Sequence, residues 1–445
     1  MRNKVIIWFA AIALLGVIAI VAAAGIFYSP SLTRYIESDA FRQAMEGETA
    51  KGLHFPESHY AAIHRTSAFT AQSDSFEARD GKKAIKSLNG RGITATFSPL
   101  GIFLRQWRFT DVHVQSGDVE IQIYTPSPEV VAPKPWFAIF LPNRVYMNRI
   151  ESDHADITWQ FRGERAGFFD TRLVITPHGR DFEYLATNGK LRMALFPELD
   201  VRRAHLLITK TLLTLYDIDL ASNSASDESV RAEGNAGIGK DRSIDLKATF
   251  TRLPIRSWLP AQWKEHLAGS ASGDLHWTGQ DPKLASSSGE GSLHVSNGRI
   301  DNVPLLKKLA ELSQKKSFEQ LELNDCSLSF GWKYPKIHIE NIAIEESGKF
   351  RIEGEMSIEQ RRLSGTIRLG LTREYLDWLP NPEEVFSRRQ GGYLWTQVRL
   401  FGTIDDPGQD LSPRIIELFK QSPGAYLQLL FRQFEGWLKK GFGDD

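Results

Sequence analysis

The amino-acid sequence predicts a mainly β protein: an N-terminal transmembrane helix, a long antiparallel sheet with a few covering helices, and a C-terminal amphipathic helix. Three observations predict it. Val5 to Tyr28 carries no charged side chain and follows Arg2 and Lys4. From about Gly92 to Leu371, apolar residues recur with period two in short runs divided by turn residues. Beyond Ser412 the apolar spacing becomes that of a helix. The organisation read from this is an anchor at 1–30, a helical or irregular lead-in at 31–90, β parts at 91–268 and 269–411, and helices at 412–445.

The apolar run at Val5 to Tyr28 makes a helix about 36 Å long, enough to cross a ~30 Å hydrocarbon core with some tilt. Its basic start sets the N-terminus in the cytoplasm and exports the remainder. A cleaved signal peptide is the rival reading, since Ala22-Ala23-Ala24 offers a small-residue cleavage site. The run nevertheless continues through Gly25, Ile26 and Phe27, further than a signal peptide needs. Ser31 to Gly52 then reads as a helix, with Ile36, Ala40, Phe41, Ala44 and Met45 at helical spacing.

The strands follow. Val112, Val114, Val119, Ile121 and Ile123 share one phase, as do Ile157, Trp159 and Phe161, and then Ile244, Leu246, Ala248 and Phe250. Ala221 to Ser243, rich in Ser, Gly and Asn, reads as a surface loop. Asn297-Gly298 is a hairpin signal, because both residues tolerate the positive φ of a type I′ turn. Asp301 and Asn302 then cap a short helix opened by Pro304. On it Leu305, Leu306, Leu309 and Leu312 share a face, while Lys307, Lys308 and Glu311 face water; so short a helix must lie on the sheet as a cover. Cys326, Leu328 and Phe330 share a phase. From Lys336 to Leu371 apolar residues fall at Ile337, Ile339, Ile342, Ile344, Phe350, Ile352, Met356, Ile358, Leu363, Ile367, Leu369 and Leu371. The phase slip at Glu340-Asn341 predicts a bulge, and Ser347-Gly348 and Gln360-Arg361 predict turns between antiparallel neighbours. Trp258-Leu259-Pro260 and Trp378-Leu379-Pro380 form a weak internal echo, 120 residues apart.

At the C-terminus, Ser412-Pro413 and Ser422-Pro423 each set a capping residue before a proline. Between Ala425 and Lys440, Leu430, Phe434, Trp437 and Leu438 belong to one broad apolar stripe, with Lys439 and Lys440 beside it. Two roles fit that stripe: packing on the sheet, or resting on a membrane surface.

Composition excludes several classes. Lys plus Arg and Asp plus Glu are each 54, and this balance argues against a nucleic-acid partner. The single cysteine, Cys326, excludes an internal disulfide and a multi-cysteine metal site; its phase marks it as a small buried hydrophobe. His54, His59 and His64, with Glu57, are the densest histidine group, but steps of five residues do not align on a helix face. No glycine-rich phosphate loop or nucleophile elbow occurs, so neither catalysis, a cofactor nor a metal is expected.

The segments GSLHVSNGRIDNVPLLKKLAEL, SFEQLELNDCSLSF, the alternating block to Leu371, and LFGTIDDPGQDLSPR resemble the C-terminal region of the AsmA family. The resemblance covers about Gly269 to Arg414; this chain is short for the family. It implies a repeating β-groove, a long curved antiparallel sheet with an apolar inner face. It also implies a bacterial inner-membrane protein with one span and a periplasmic body, supporting phospholipid transport between membranes and outer-membrane homeostasis. Roughly twenty strands at ~4.8 Å spacing would give a groove on the order of 100 Å long. Expected partners are the membrane, phospholipid and envelope proteins. Ile157, Trp159, Phe161, Ile244, Leu246, Phe250, Leu328, Phe330, Ile337, Ile339, Ile352, Ile367 and Leu369 are the expected lipid contacts. The residues alone leave two architectures open. Alternating strands also build a closed β-sandwich, which would make the chain an envelope-assembly scaffold that carries no lipid.

Overall fold

The computed structural model describes residues 30–421, except 83–84, 99–100, 102–106, 123–144, 162, 179–180, 195–196, 210, 224–226, 239–240, 260–263, 282, 302 and 314. The expected anchor before Pro30, and the stripe bearing Leu430, Phe434, Trp437 and Leu438, lie outside the described residues. Among the described residues, no helix is long and apolar enough to cross a membrane. The protein is mainly β, with few helices. The chain divides into two compact units: residues 1–224 with 238–240, and residues 225–237 with 241–445.

In the first unit the single helix expected from Ser31 to Gly52 is two, α1 (Pro30–Ile36) and α2 (Asp39–Leu53). The chain breaks at Ser38, whose hydroxyl accepts from the Phe41 N–H at 3.3 Å and so caps α2. His54 ends α2 in the left-handed region, at φ 64°. Ile36, Phe41 and Met45 are buried with Ile63, Ala71, Phe109 and Val112, so the helical face does bury as its spacing required.

The strands of this unit are β1 (Glu57–Tyr60), β2 (Ile63–Arg65), β3 (Thr70–Arg79), β4 (Ile85–Phe97), β5 (Trp107–Ile121), β6 (Val145–Met147), β7 (Ile150–Phe161), β8 (Glu164–His178), β9 (Asp181–Thr187), β10 (Lys190–Arg192), β11 (Leu199–Ile208) and β12 (Leu212–Ala221). β1 and β2 both pair with β3, and the sheet continues through β4, β5, β7 and β8. β9 and β10 lie between β8 and β11, which pairs with β12. Two expectations are corrected here. The stretch 31–90 is helical only to Leu53, and β1, β2, β3 and the start of β4 follow in it. Beside Ile63 and Phe76, their inward positions hold the small residues Ser58, Ala71, Ser73 and Ala78, so the alternation is weak in hydropathy. Nor is the sheet wholly antiparallel: β5 pairs in parallel with β6 and with β7. The intervening chain is long enough to return to the same end of the sheet before pairing.

The second unit holds β13 (Ser229–Gly237), β14 (Ile244–Pro254), β15 (Leu267–Gly279), β16 (Ser287–Asp301), β17 (Gln320–Leu323), β18 (Asp325–Lys333), β19 (Lys336–Glu346), β20 (Phe350–Glu359), β21 (Arg362–Leu371), β22 (Arg388–Gln390), β23 (Tyr393–Gly402) and β24 (Pro407–Gln409). Each pairs antiparallel with its neighbour, β17 and β18 both following β16, and β22 and β24 both flanking β23. β13 lies inside the stretch expected to be a loop. Its sheet-facing residues are Val230, Ala232, Gly234 and Ala236, too small to read as a strand.

Asn297-Gly298 is not a hairpin: β16 runs through it. The register places Ala268 opposite Arg299 and Ser270 opposite Ser296, so Asn297 and Gly298 together face Gly269 across a bulge. The positive φ that suits a turn is used there, at 51° for Asn297. The expected bulge and the two expected turns hold. The register slips at Asn341, where φ is 52°; Gly348 turns β19 into β20, and Gln360 and Arg361, both at positive φ, turn β20 into β21.

Among the described residues this unit holds the α-helices α3 (Ile255–Trp258), α4 (Pro304–Ser313) and α5 (Leu411–Gln421). α4 buries Leu306 and Ala310 and exposes Lys307 and Glu311. The carboxylate of Asp301, expected to cap it, accepts from Arg299 Nε at 2.9 Å instead. Ser412 does not cap α5. Gln409 Oε1 accepts from the Leu411 and Ser412 N–H groups, at 2.6 and 3.0 Å. The Trp-Leu-Pro echo marks corresponding places, since Trp258 follows β14 and Trp378 follows β21 in short helical connections. Leu306, Phe318, Leu371, Leu376, Phe386, Val398, Leu411 and Ile415 form the main core, which α4, α5 and the turns at Arg373–Leu376 and Pro382–Glu384 lay over one end of the strands.

Candidate functional site

Paired residues in a sheet point to the same side, so the register identifies each face. In the second unit, Phe250 faces Gly273, Gly273 faces Leu293, and Leu293 faces Leu328. From β18 onward, Phe330 pairs with Ile339, Ile339 with Met356, Met356 with Gly365 and Gly365 with Leu400. A second row runs Ile344, Ile352, Leu369 and Thr396. One face from β13 to β23 is therefore apolar almost throughout. The expected contacts Ile244, Leu246, Phe250, Leu328, Phe330, Ile337, Ile339, Ile352, Ile367 and Leu369 all lie on it, although no single strand could reveal a shared side.

Burial divides that face. At the helix-covered end, Ile367, Leu369 and Leu371 are 5%, 3% and 1% exposed, inside the main core. Ile244 is also buried. Leu246, Phe250, Leu328, Phe330, Ile339, Ile352, Met356, Ile358 and Leu363 are half-buried, and Ile337 is 40% exposed. A closed sandwich would bury such residues fully, as interleaved sheets do. Along the uncovered strand ends the apolar face stays only partly buried.

Close backbone approach shapes its floor. A Cβ on Gly289 would stand 2.0 Å from the Trp332 ring. Likewise, one on Gly291 would stand 2.8 Å from Phe330, and one on Gly273 the same distance from Phe250. Three aromatic side chains thus reach the space above three glycines, which leaves room for them on a largely apolar surface.

The first unit has its own apolar face. Val119 pairs with Ile157, Ile157 with Phe168, and Ile121 with Trp159, which faces Ala166. Trp159 and Phe168 pack with ring centroids 5.8 Å apart. Ile157, Trp159 and Phe161 are half-buried here. Further along, Ile175 faces Tyr184, which faces Leu206, itself opposite Leu215.

The opposite faces carry charge. Arg172 and Arg149 both bind Glu151, and the Arg172 hydrogen bond above all holds the Glu151 carboxyl below the usual carboxylate range. His178 and His205 bind the two oxygens of Glu183 at 2.8 and 2.6 Å and lower its pKa in the same way. In the second unit Arg351 bridges Glu345 and Glu353, and Arg368 reaches Glu353 at 3.1 Å. Each unit thus carries these ion pairs on one face of its strands and its apolar rows on the other.

The remaining candidates fall elsewhere. His54 is a helix cap, and His59 and His64 stand exposed or half-exposed on β1 and β2. Among the described residues, no three His, Cys, Asp or Glu side chains are placed to hold a metal ion. Cys326 is buried in the main core, and burial pushes its thiol up to about 11, which leaves it un-ionised at neutral pH. Comparison with protein-family models, curated proteins and solved structures finds no match.

Proposed function

We propose that this chain is an inner-membrane-anchored periplasmic protein of AsmA type, whose apolar trough binds phospholipid acyl chains and supports lipid transport between membranes and outer-membrane homeostasis. The observation that supports this most is the continuous apolar face of the second unit, half-exposed over a length of sheet where a soluble protein would normally seal it. Acyl chains suit such a surface because they need only continuous apolar contact, at ~0.8 kcal/mol per buried methylene. The protein acts by passive binding, without catalysis or a cofactor: it lowers the cost of carrying a tail through water, and direction comes from other components. Envelope proteins are the expected partners.

Lipid extraction from the full chain, purified in a detergent that spares bound lipid, tests the reading. Phospholipid recovered in stoichiometric amount supports it. A well-folded, lipid-free chain supports the envelope-assembly scaffold instead.

A further inference from the structure

Three hydrogen-bond donors stand without an acceptor on the apolar face near its uncovered end. They are the indole N–H groups of Trp277 and Trp332 and the hydroxyl of Ser287. Trp277 and Trp332 both pair with Gly289, one from β15 and the other from β18. Ser287 lies two residues from Gly289 on the same strand and face, about 7 Å away, and is only 6% exposed. An indole N–H can only donate, and a buried donor left unsatisfied is rare in a folded protein. Three so close together on the sheet, on a face otherwise almost wholly apolar, form a polar spot in the trough.

We infer that Trp277, Ser287 and Trp332 form a subsite for a neutral oxygen acceptor, the ester carbonyl of a diacyl lipid. This rests on the reading of the trough as an acyl-chain site, and it narrows the ligand class from hydrocarbon to ester-linked lipid. The donor chemistry selects the carbonyl. No cationic group belongs to the cluster, as recognition of a bare phosphate or carboxylate would require. Both indole rings are themselves half-buried at the trough surface, so a turn about the Cβ–Cγ bond brings each N–H to a ligand. Location agrees. Trp332 is followed at the strand end by Lys333, and Lys336 opens the next strand; both are exposed. A carbonyl held at the tryptophans would leave the tails along the floor made by Phe330 and Phe250 and place the headgroup at the rim beside those lysines.

The test is competition between two phospholipids of identical headgroup and chain length, one diester and one diether, for the full chain in detergent, read by native mass spectrometry. The diether lacks only the carbonyls. Wild type is expected to favour the diester by ~10-fold, the equivalent of roughly one or two hydrogen bonds. The W277F/S287A/W332F variant keeps the aromatic floor and is expected to bind both lipids equally. Equal binding by wild type overturns the subsite while leaving the trough intact, as does a preference that survives in the variant. A chain that binds neither lipid removes the trough reading, and the subsite with it.

Discussion

The two ends of the strands in the second unit differ in what lies over the same apolar face. At one end, α4, α5 and short helical turns bury Leu371, Leu376, Phe386 and Val398. At the other, Ile358 and Leu363 continue the rows but stay half-buried, and Ile337 is 40% exposed. Similar side chains thus serve two purposes. Covered, they supply the contacts that hold the unit together; uncovered, they leave apolar surface partly exposed, which is the surface the proposed function assigns to lipid tails. The covering helices explain how a sheet with an open face folds at all, since one sealed end supplies a core that the trough does not.

Substitutions should separate the two ends. Phe386→Ala, in the sealed core, is expected to cost about 3–5 kcal/mol, read as a loss of Tm or of denaturant midpoint. Ile358→Ala should cost about 1 kcal/mol or less, yet reduce bound lipid. Comparable losses at both sites would mean that the trough is as sealed as the core.

Gly289→Ala sharpens the comparison within the trough. Its Cβ would collide with the Trp332 ring, so an expected destabilisation of about 1–3 kcal/mol should accompany altered tryptophan fluorescence. The sealed end has a chemical reporter in Cys326, whose thiol is raised to about 11 by burial. Alkylation at pH 8 should be at least ~100-fold slower in the native chain than in denaturant, because the thiolate is the nucleophile.

The smallest effect is expected on the charged face of the first unit. The lowered pKa of Glu183 favours its carboxylate in the folded state. The resulting stability is present above the ordinary glutamate pKa of ~4.3 and lost as pH falls through the lower folded value. Glu183→Gln should therefore lower Tm by only ~1–2 °C at neutral pH, with the difference vanishing in acid.

What the sequence made legible was local. Period two announced β14 and β18 to β21 because large apolar residues alternate with charged ones there. The bulge at Asn341 was legible as a slip in apolar phase, and the turn at Gln360-Arg361 as polar residues between two alternating runs; both take positive φ in the structure. β13 was not, because Gly234 and Ala236 fill inward positions without a hydropathy signal. Asn297-Gly298 was misread because turn and bulge ask the same of the backbone; the choice between them belongs to Gly269, on another strand. The shared apolar side of the expected contacts needed the register, and so did the meeting of Trp277, Ser287 and Trp332.

A photo-crosslinking amino acid placed at position 358 or at position 371 of the full chain, irradiated in living cells, tests the central claim most directly. Mass spectrometry of the purified chain should find phospholipid adducts at 358 and none at 371. Adducts at neither position, or crosslinks from 358 only to the protein's own residues, would contradict an open trough filled by lipid tails.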